Sequence, residues 1–129
     1  MEHAELDART NSVAATVVDA AMEVHRTLGP GFLESTYEEA LCYELGLRGV
    51  AVARQVQVEV GYKGHPVGTQ RLDMLVDGRL VVEIKAAETL LPVHSAQLLA
   101  YLKATNHRLG LLINFNSRLL KDGLRRIAN

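Results

Sequence analysis

Residues 80–86 read Leu-Val-Val-Glu-Ile-Lys-Ala, apolar on both faces of an extended chain except at Glu83 and Lys85. Such a run does not suit a half-solvated sheet; it reads as a central strand covered on both sides. Covering both sides takes helices on both faces of a sheet, and the rest of the chain must supply them. The 129 residues leave room for one domain, residues 1–129, that buries roughly two thirds of its unfolded-chain surface.

The helices show as a 3.6-residue period. Val13, Val17, Ala20, Val24 and Leu28 recur at steps of three and four, and Gly29-Pro30-Gly31 stops the pattern. A second helix is expected over 33–47, with Leu41 and Leu45 on the side of Tyr37. A third is opened by Pro92 and runs over 93–105, with Leu98 and Leu102 inward. Between them the period changes to two. Val56, Val58 and Val60 alternate with Gln55, Gln57 and Glu59, a half-buried strand, and Tyr62-Lys63-Gly64-His65 reads as a turn. Strands follow at 71–76 and 80–86 around Asp77-Gly78, and a short apolar strand at 109–115. The tail from Ser117 reads as a final helix or turn. The order α-α-β-β-β-α-β implies an α/β fold, a mixed central β-sheet flanked by helices.

Composition removes several classes of function. Hydrophobic residues at 48% and charged residues at 22% exclude wholesale disorder, and a net charge of −1 excludes binding nucleic acid through global charge alone. No apolar run reaches the ~18 residues of a membrane span, and no basic segment leads an apolar one at the N-terminus. Cys42 is the one cysteine, so neither an intramolecular disulfide nor a cysteine zinc site is available, and a cytoplasmic chain is expected. Charge is unevenly spread: residues 1–44 hold nine acids and two bases, residues 103–129 six bases and one acid. The basic end reads either as a binding patch or as a solvated terminal helix that balances the acidic one.

Glu83 and Lys85 are two apart and share one face of their strand, with Val82, Ile84 and Ala86 on the other. Spacing alone leaves open a surface salt bridge with the lysine reaching out to solvent. Asp73, in Leu72-Asp73-Met74-Leu75-Val76, is a second carboxylate where an apolar residue is expected. Two carboxylates on neighbouring strands can hold a divalent cation that relieves their repulsion, with the carbonyl of Ile84 as a further ligand and a lysine beside them orienting an attacking water. This requires one shared face. A two-residue loop at Asp77-Gly78 would set Asp73 and Glu83 on opposite faces. A three-residue loop of Val76-Asp77-Gly78 pairs Asp73 with Val81 and makes it the diagonal neighbour of Glu83. The odd loop, or a bulge with the same effect, is expected.

Asp73 followed by Glu83-Ile84-Lys85 on consecutive strands, after an acidic helix, resembles the PD-(D/E)XK nuclease superfamily. Gly31-Phe32-Leu33-Glu34-Ser35-Thr36-Tyr37 closely matches the motif that names its GxxExxY family. The likeness runs over residues 24–127 and includes Gln97-Leu98-Leu99-Ala100-Tyr101-Leu102 and Gly110-Leu111-Leu112-Ile113-Asn114-Phe115. Leu72 stands where the superfamily name has proline. The resemblance implies a restriction-endonuclease-like α-β-β-β-α-β core with an extra N-terminal helix. It also implies a nuclease that uses Mg²⁺ or Mn²⁺ on nucleic acid, DNA rather than RNA. Carried over residue by residue, Asp73, Glu83 and Glu34 attend the metal and Lys85 the water, while Gln97 and Tyr101 line the site. Glu34 also reads as a first-turn acid favoured by the helix dipole, and Tyr37 as a core aromatic or a hydrogen-bonding support. His94, Gln97 and Tyr101 share a helix face that also suits a polar stripe at the sheet edge. His25 reads as an exposed helix residue and Cys42 as core. A chain this small offers a duplex little surface, which suggests a homodimer. The alternative function is a catalytically silent module of the same fold that binds nucleic acid or protein.

Overall fold

In the computed structural model, which describes residues 7–129, helix α1 (Ala8–Leu28) starts where Asp7 accepts the Thr10 N–H at 2.7 Å. Such a cap satisfies one of the helix's otherwise unpaired first amides. Glu2 and Glu5 of the acidic segment, with the rest of residues 1–6, lie outside the described residues. Val13, Val17, Ala20 and Val24 form the buried stripe of α1, as their spacing requires. Gly29 ends the helix at φ +68°, its N–H donating to the His25 carbonyl at 2.8 Å. Helix α2 (Glu34–Leu47) buries Tyr37, Leu41 and Leu45 completely.

Strands β1 (Val52–Tyr62) and β2 (His65–Val76) form a long antiparallel hairpin. Lys63 and Gly64 both have positive φ in its two-residue turn, the geometry that matches strand twist. Strand β3 (Leu80–Lys85) pairs antiparallel with β2 and parallel with β4 (Leu109–Asn114), and α3 (Pro92–Thr105) makes the crossover. The sheet order is β1-β2-β3-β4-β5. Leu80 to Ile84 and all of β4 are buried. One core lies between the sheet and α1 with α2, and a second lies under Leu98, Tyr101 and Leu102 of α3. The central strand is thus covered on both sides, and the mixed sheet flanked by helices is the architecture expected from sequence.

Two expectations need correction. The tail is a 3-10 turn (Leu120–Gly123) followed by strand β5 (Leu124–Ala128), antiparallel to β4. Leu124 and Ile127 are three apart, which mimics a helix. In the strand they face opposite cores, Leu124 toward α1 and Ile127 toward α3. The β2–β3 loop has three residues, as expected, but it spans 77–79 and pairs Val76 with Leu80. Val76 is fully buried and cannot leave the core for a loop. Asp77 instead takes the turn at φ +56° and pairs with Arg9 at the start of α1.

The hairpin also changes faces along its length. Val52, Met74 and Val76 pack on the α1–α2 core, whereas Val56, Val58 and Leu72 pack on the α3 core. The switch falls at Gln55 and Asp73, where the β1–β2 ladder skips a pair between Arg54↔Met74 and Val56↔Leu72.

Candidate active site

Continuing the β2–β3 register one step beyond Met74↔Val82 sets Asp73 directly opposite Glu83, not diagonal to it. The backbone ladder stops there, and side chains replace it. The Asp73 N–H donates to Glu83 Oε2 at 2.9 Å, and the Ile84 N–H donates to Asp73 Oδ2 at 2.8 Å. Each carboxylate therefore takes a backbone donor beside the other, and the two are held together on the strand edge where the ladder opens. Glu83 is only 5% exposed.

Two carboxylates so placed disturb each other. Burial, and after it the charge of Asp73, pushes the Glu83 carboxyl up to about 8, against the Asp73 amide and the Lys85 ammonium. Burial likewise raises Asp73, opposed by the Ile84 amide and Lys85 and assisted by Glu38 and Glu34. Lys85, half-buried at the end of β3, stabilises both anions through space. Tyr101, 8% exposed on α3, is raised by burial and then by the charges of Glu83 and Asp73, and its hydroxyl donates to Gln70 Oε1 at 3.5 Å.

A model of the PD-(D/E)XK nuclease superfamily matches residues 11–127. The chain belongs to the PD-(D/E)XK nuclease superfamily. No curated protein and no solved structure matches it. Nuclease chemistry on nucleic acid is what this superfamily supplies, and its members generally use divalent metals. No helix among the described residues is long and apolar enough to cross a membrane.

The donor set at the strand edge fits a hard cation. Glu83 Oε1 and Asp73 Oδ1 take no hydrogen bond among the described residues, and both carboxylates carry the desolvation and repulsion that a cation relieves. The Ile84 N–H points toward Asp73, and in an extended strand the carbonyl of the same residue points to the same edge. Two carboxylates and a carbonyl are oxygen donors of the type Mg²⁺ uses, with water completing its shell. No group of three His, Cys, Asp or Glu side chains among the described residues converges to hold an ion. A further protein carboxylate is therefore not in place beside the pair.

Glu34, in the first turn of α2, is exposed, and its charge helps to raise Asp73. One turn later Glu38 is 7% exposed and its charge is felt by both Asp73 and Glu83. Sequence reasoning missed Glu38. The signal was available: it lies four residues after Glu34 on the same helix face and beside the buried Tyr37. Gln97 is exposed on α3 one turn before Tyr101, and His94 Nδ1 accepts the Leu91 N–H at 2.9 Å, which caps the helix. Tyr37 is a fully buried support for the loop before α2. Its hydroxyl donates to the Gly29 carbonyl at 2.5 Å and accepts the Phe32 N–H at 3.1 Å, and its ring stacks on Phe115 at 4.7 Å.

Asn114 was also missed as a working residue. Buried beside Lys85 in the β3–β4 register, it bonds the Ala87 N–H and carbonyl, each at 3.0 Å, and fixes the chain that leaves the site. An amide inside the apolar run 109–115 was its sign. His25 is not a free surface group, because its Nε2 lies 2.8 Å from the Ser117 carbonyl. Cys42 is half-buried against the α1–α2 core.

Proposed function

We propose that this chain is a metal-dependent nuclease of the GxxExxY type, residues 1–129 forming one nuclease-like domain that hydrolyses phosphodiester bonds of DNA with Mg²⁺ or Mn²⁺. The reading rests on the braced Asp73–Glu83 pair with Lys85 beside it; DNA over RNA rests on resemblance to the superfamily. Asp73 and Glu83, with the Ile84 carbonyl, hold the cation, and the reciprocal bonds to Ile84 and Asp73 amides keep both carboxylates from swinging away. When bound, the cation polarises the scissile phosphate and lowers the pKa of a water. The Lys85 ammonium orients the attacking water and meets the negative charge that develops on the phosphate oxygens. Tyr101 closes the site on the α3 side, Gln97 reaches outward to substrate, and Glu34 adds negative charge from α2. A homodimer in a reducing, cytoplasmic setting is the form that best supplies surface for a duplex.

A second reading, a catalytically silent module that binds nucleic acid or protein, draws on one observation: no third acidic side chain among the described residues joins the pair. The deciding assay offers single-stranded, duplex and branched DNA and RNA to the protein with Mg²⁺, Mn²⁺ or EDTA, beside Glu83→Ala and Lys85→Ala. Metal-dependent cleavage lost in both variants is the expected result. Absence of cleavage on every substrate favours the silent module.

A further inference from the structure

Four non-glycine residues among those described have positive φ: Gln55, Lys63, Asp77 and Asn106. Lys63 and Asp77 sit in the two hairpin turns, and Asn106 caps α3 in the left-handed conformation. Each of these three has a turn that demands it. Gln55, at φ +53°, lies inside β1, where no turn does. A side chain in that region persists only when its surroundings hold it there.

The surroundings are Glu38 and Arg54. The Gln55 amide donates to both oxygens of Glu38, at 3.0 and 3.1 Å, and Arg54 Nε donates to Glu38 Oε2 at 3.0 Å. Glu38 is anchored on α2, whose Tyr37 and Leu41 are fully buried. A side chain of β1 is thereby tied to a helix that cannot shift without disturbing the core. The tie falls at one point of the sheet. The missing ladder pair lies opposite Gln55, at Asp73, and both strands of the hairpin change faces there. Beyond this position the β2–β3 ladder gives way to the two bonds between carboxylates and amides. The left-handed residue in β1, the face switch and the opening that lets Asp73 stand against Glu83 occur at the same residue pair.

We propose that Gln55, clamped by Glu38, is a positioning residue that holds the break in the sheet from which Asp73 reaches the cation. The inference rests on the metal-dependent reading above and assigns Gln55 and Glu38 no contact with the metal. Outer partners of metal ligands commonly change affinity by about 10–100-fold when removed, so the effect is large enough to measure without turnover.

The test is a calorimetric Mn²⁺ titration of the full chain, with the metal-free melting temperature recorded for each variant. Gln55→Gly accepts the left-handed backbone without strain but lacks the amide, and Glu38→Gln loses the charged acceptor. Both are expected to keep the wild-type circular dichroism spectrum and to bind Mn²⁺ about tenfold more weakly or worse. The double variant Glu38→Gln with Gln55→Glu exchanges donor and acceptor and is expected to recover most of that loss. Wild-type Mn²⁺ affinity in both single variants overturns the proposal. So does a loss that the exchange fails to recover and that follows the melting temperature, because Gln55 would then serve stability alone. Asp73→Ala runs beside them as the control. If it too binds Mn²⁺ like wild type, the metal-site reading itself has failed, and the positioning role falls with it.

Discussion

At the scale of single residues, Glu83 makes the sharpest statement, because its carboxyl is raised to about 8 from an ordinary 4.5. As pH climbs past 4.5 the unfolded chain releases this proton while the folded chain keeps it until about 8. The folded state then binds more protons than the unfolded one, so stability present below 4.5 is lost as pH rises through this window. Asp73 is raised as well and adds to the same sign. Asp7 and Asp77 are lowered, by the Thr10 bonds and by Arg9 respectively, and they act only below the ordinary carboxylate range. The metal-free protein is therefore expected to melt at progressively lower temperature between pH 5 and pH 8. Glu83→Gln, which keeps an acceptor for the Asp73 amide, is expected to flatten that slope. Melting curves in EDTA across the window decide it, and equal slopes in the two proteins would mean that Glu83 is ionised throughout. Added Mn²⁺ should restore most of the lost stability at pH 8 in the wild type, since a ligand confined to the folded state stabilises by mass action.

At the scale of elements, two glycines make opposite predictions. Gly46 lies within α2, and a Cβ there meets nothing within 4 Å. Gly46→Ala is expected to stabilise by about 0.5–1 kcal/mol, the helix preference for alanine. At Gly123, the last residue of the 3-10 turn before β5, a Cβ would stand 2.6 Å from the Asn114 carbonyl oxygen. Backbone must move there, so Gly123→Ala is expected to cost about 1–3 kcal/mol. Because Asn114 holds Ala87 just beyond Lys85, cleavage should fall further than stability does. Denaturant melts with a cleavage rate for each variant test this, and a neutral Gly123→Ala would show that the β4–β5 connection yields freely. These elements also mark what could be read from the sequence. The stripe Val13-Val17-Ala20-Val24, the face Tyr37-Leu41-Leu45 and the two-faced run 80–86 are local periodicities, and each sits where its period puts it. The braced carboxylates were visible as acids in apolar strands. What local pattern could not carry was register and exception. Whether Val76 or Arg79 enters the loop is decided by a core that lies elsewhere in the chain. Leu124 and Ile127 serve opposite cores from one strand. The left-handed Gln55 depends on Glu38, 17 residues away.

At the scale of the whole molecule, the uneven charge of the sequence becomes a division of labour. Arg9, Arg26, Arg48, Arg54 and Arg79 all pair with carboxylates, including Asp77, Glu23, Glu44 and Glu38. The acidic end of the chain is thus partly neutralised, chiefly by Arg48, Arg54 and Arg79 from the segments that follow it. Lys103, Arg118, Lys121 and Arg125 take no ion pair among the described residues. Arg118 and Arg125 line a polar cleft with Thr89, Asn114 and Ser117, with Glu88 and Asp122 as its acids. That cleft opens at the carboxyl ends of the parallel strands β3 and β4, the end that carries Lys85, where open α/β sheets bind ligands. A polyanion is attracted by unpaired charge, whatever the net charge of the molecule. Binding of a nucleic-acid strand should therefore weaken with salt through the β4–β5 connection and not through the paired arginines. The measurement is affinity for a labelled oligonucleotide by anisotropy in EDTA, over a range of salt concentration. Replacing both Arg118 and Lys121 by glutamate is expected to make the slope of log affinity against log salt shallower by about 0.7–0.9 for each phosphate that is no longer neutralised. Arg48→Glu, which removes a base already held by Asp19 and Glu44, is expected to leave the slope unchanged. A slope that responds to Arg48 and ignores Arg118 and Lys121 would move the nucleic-acid path to the α1–α2 face, away from Asp73 and Glu83.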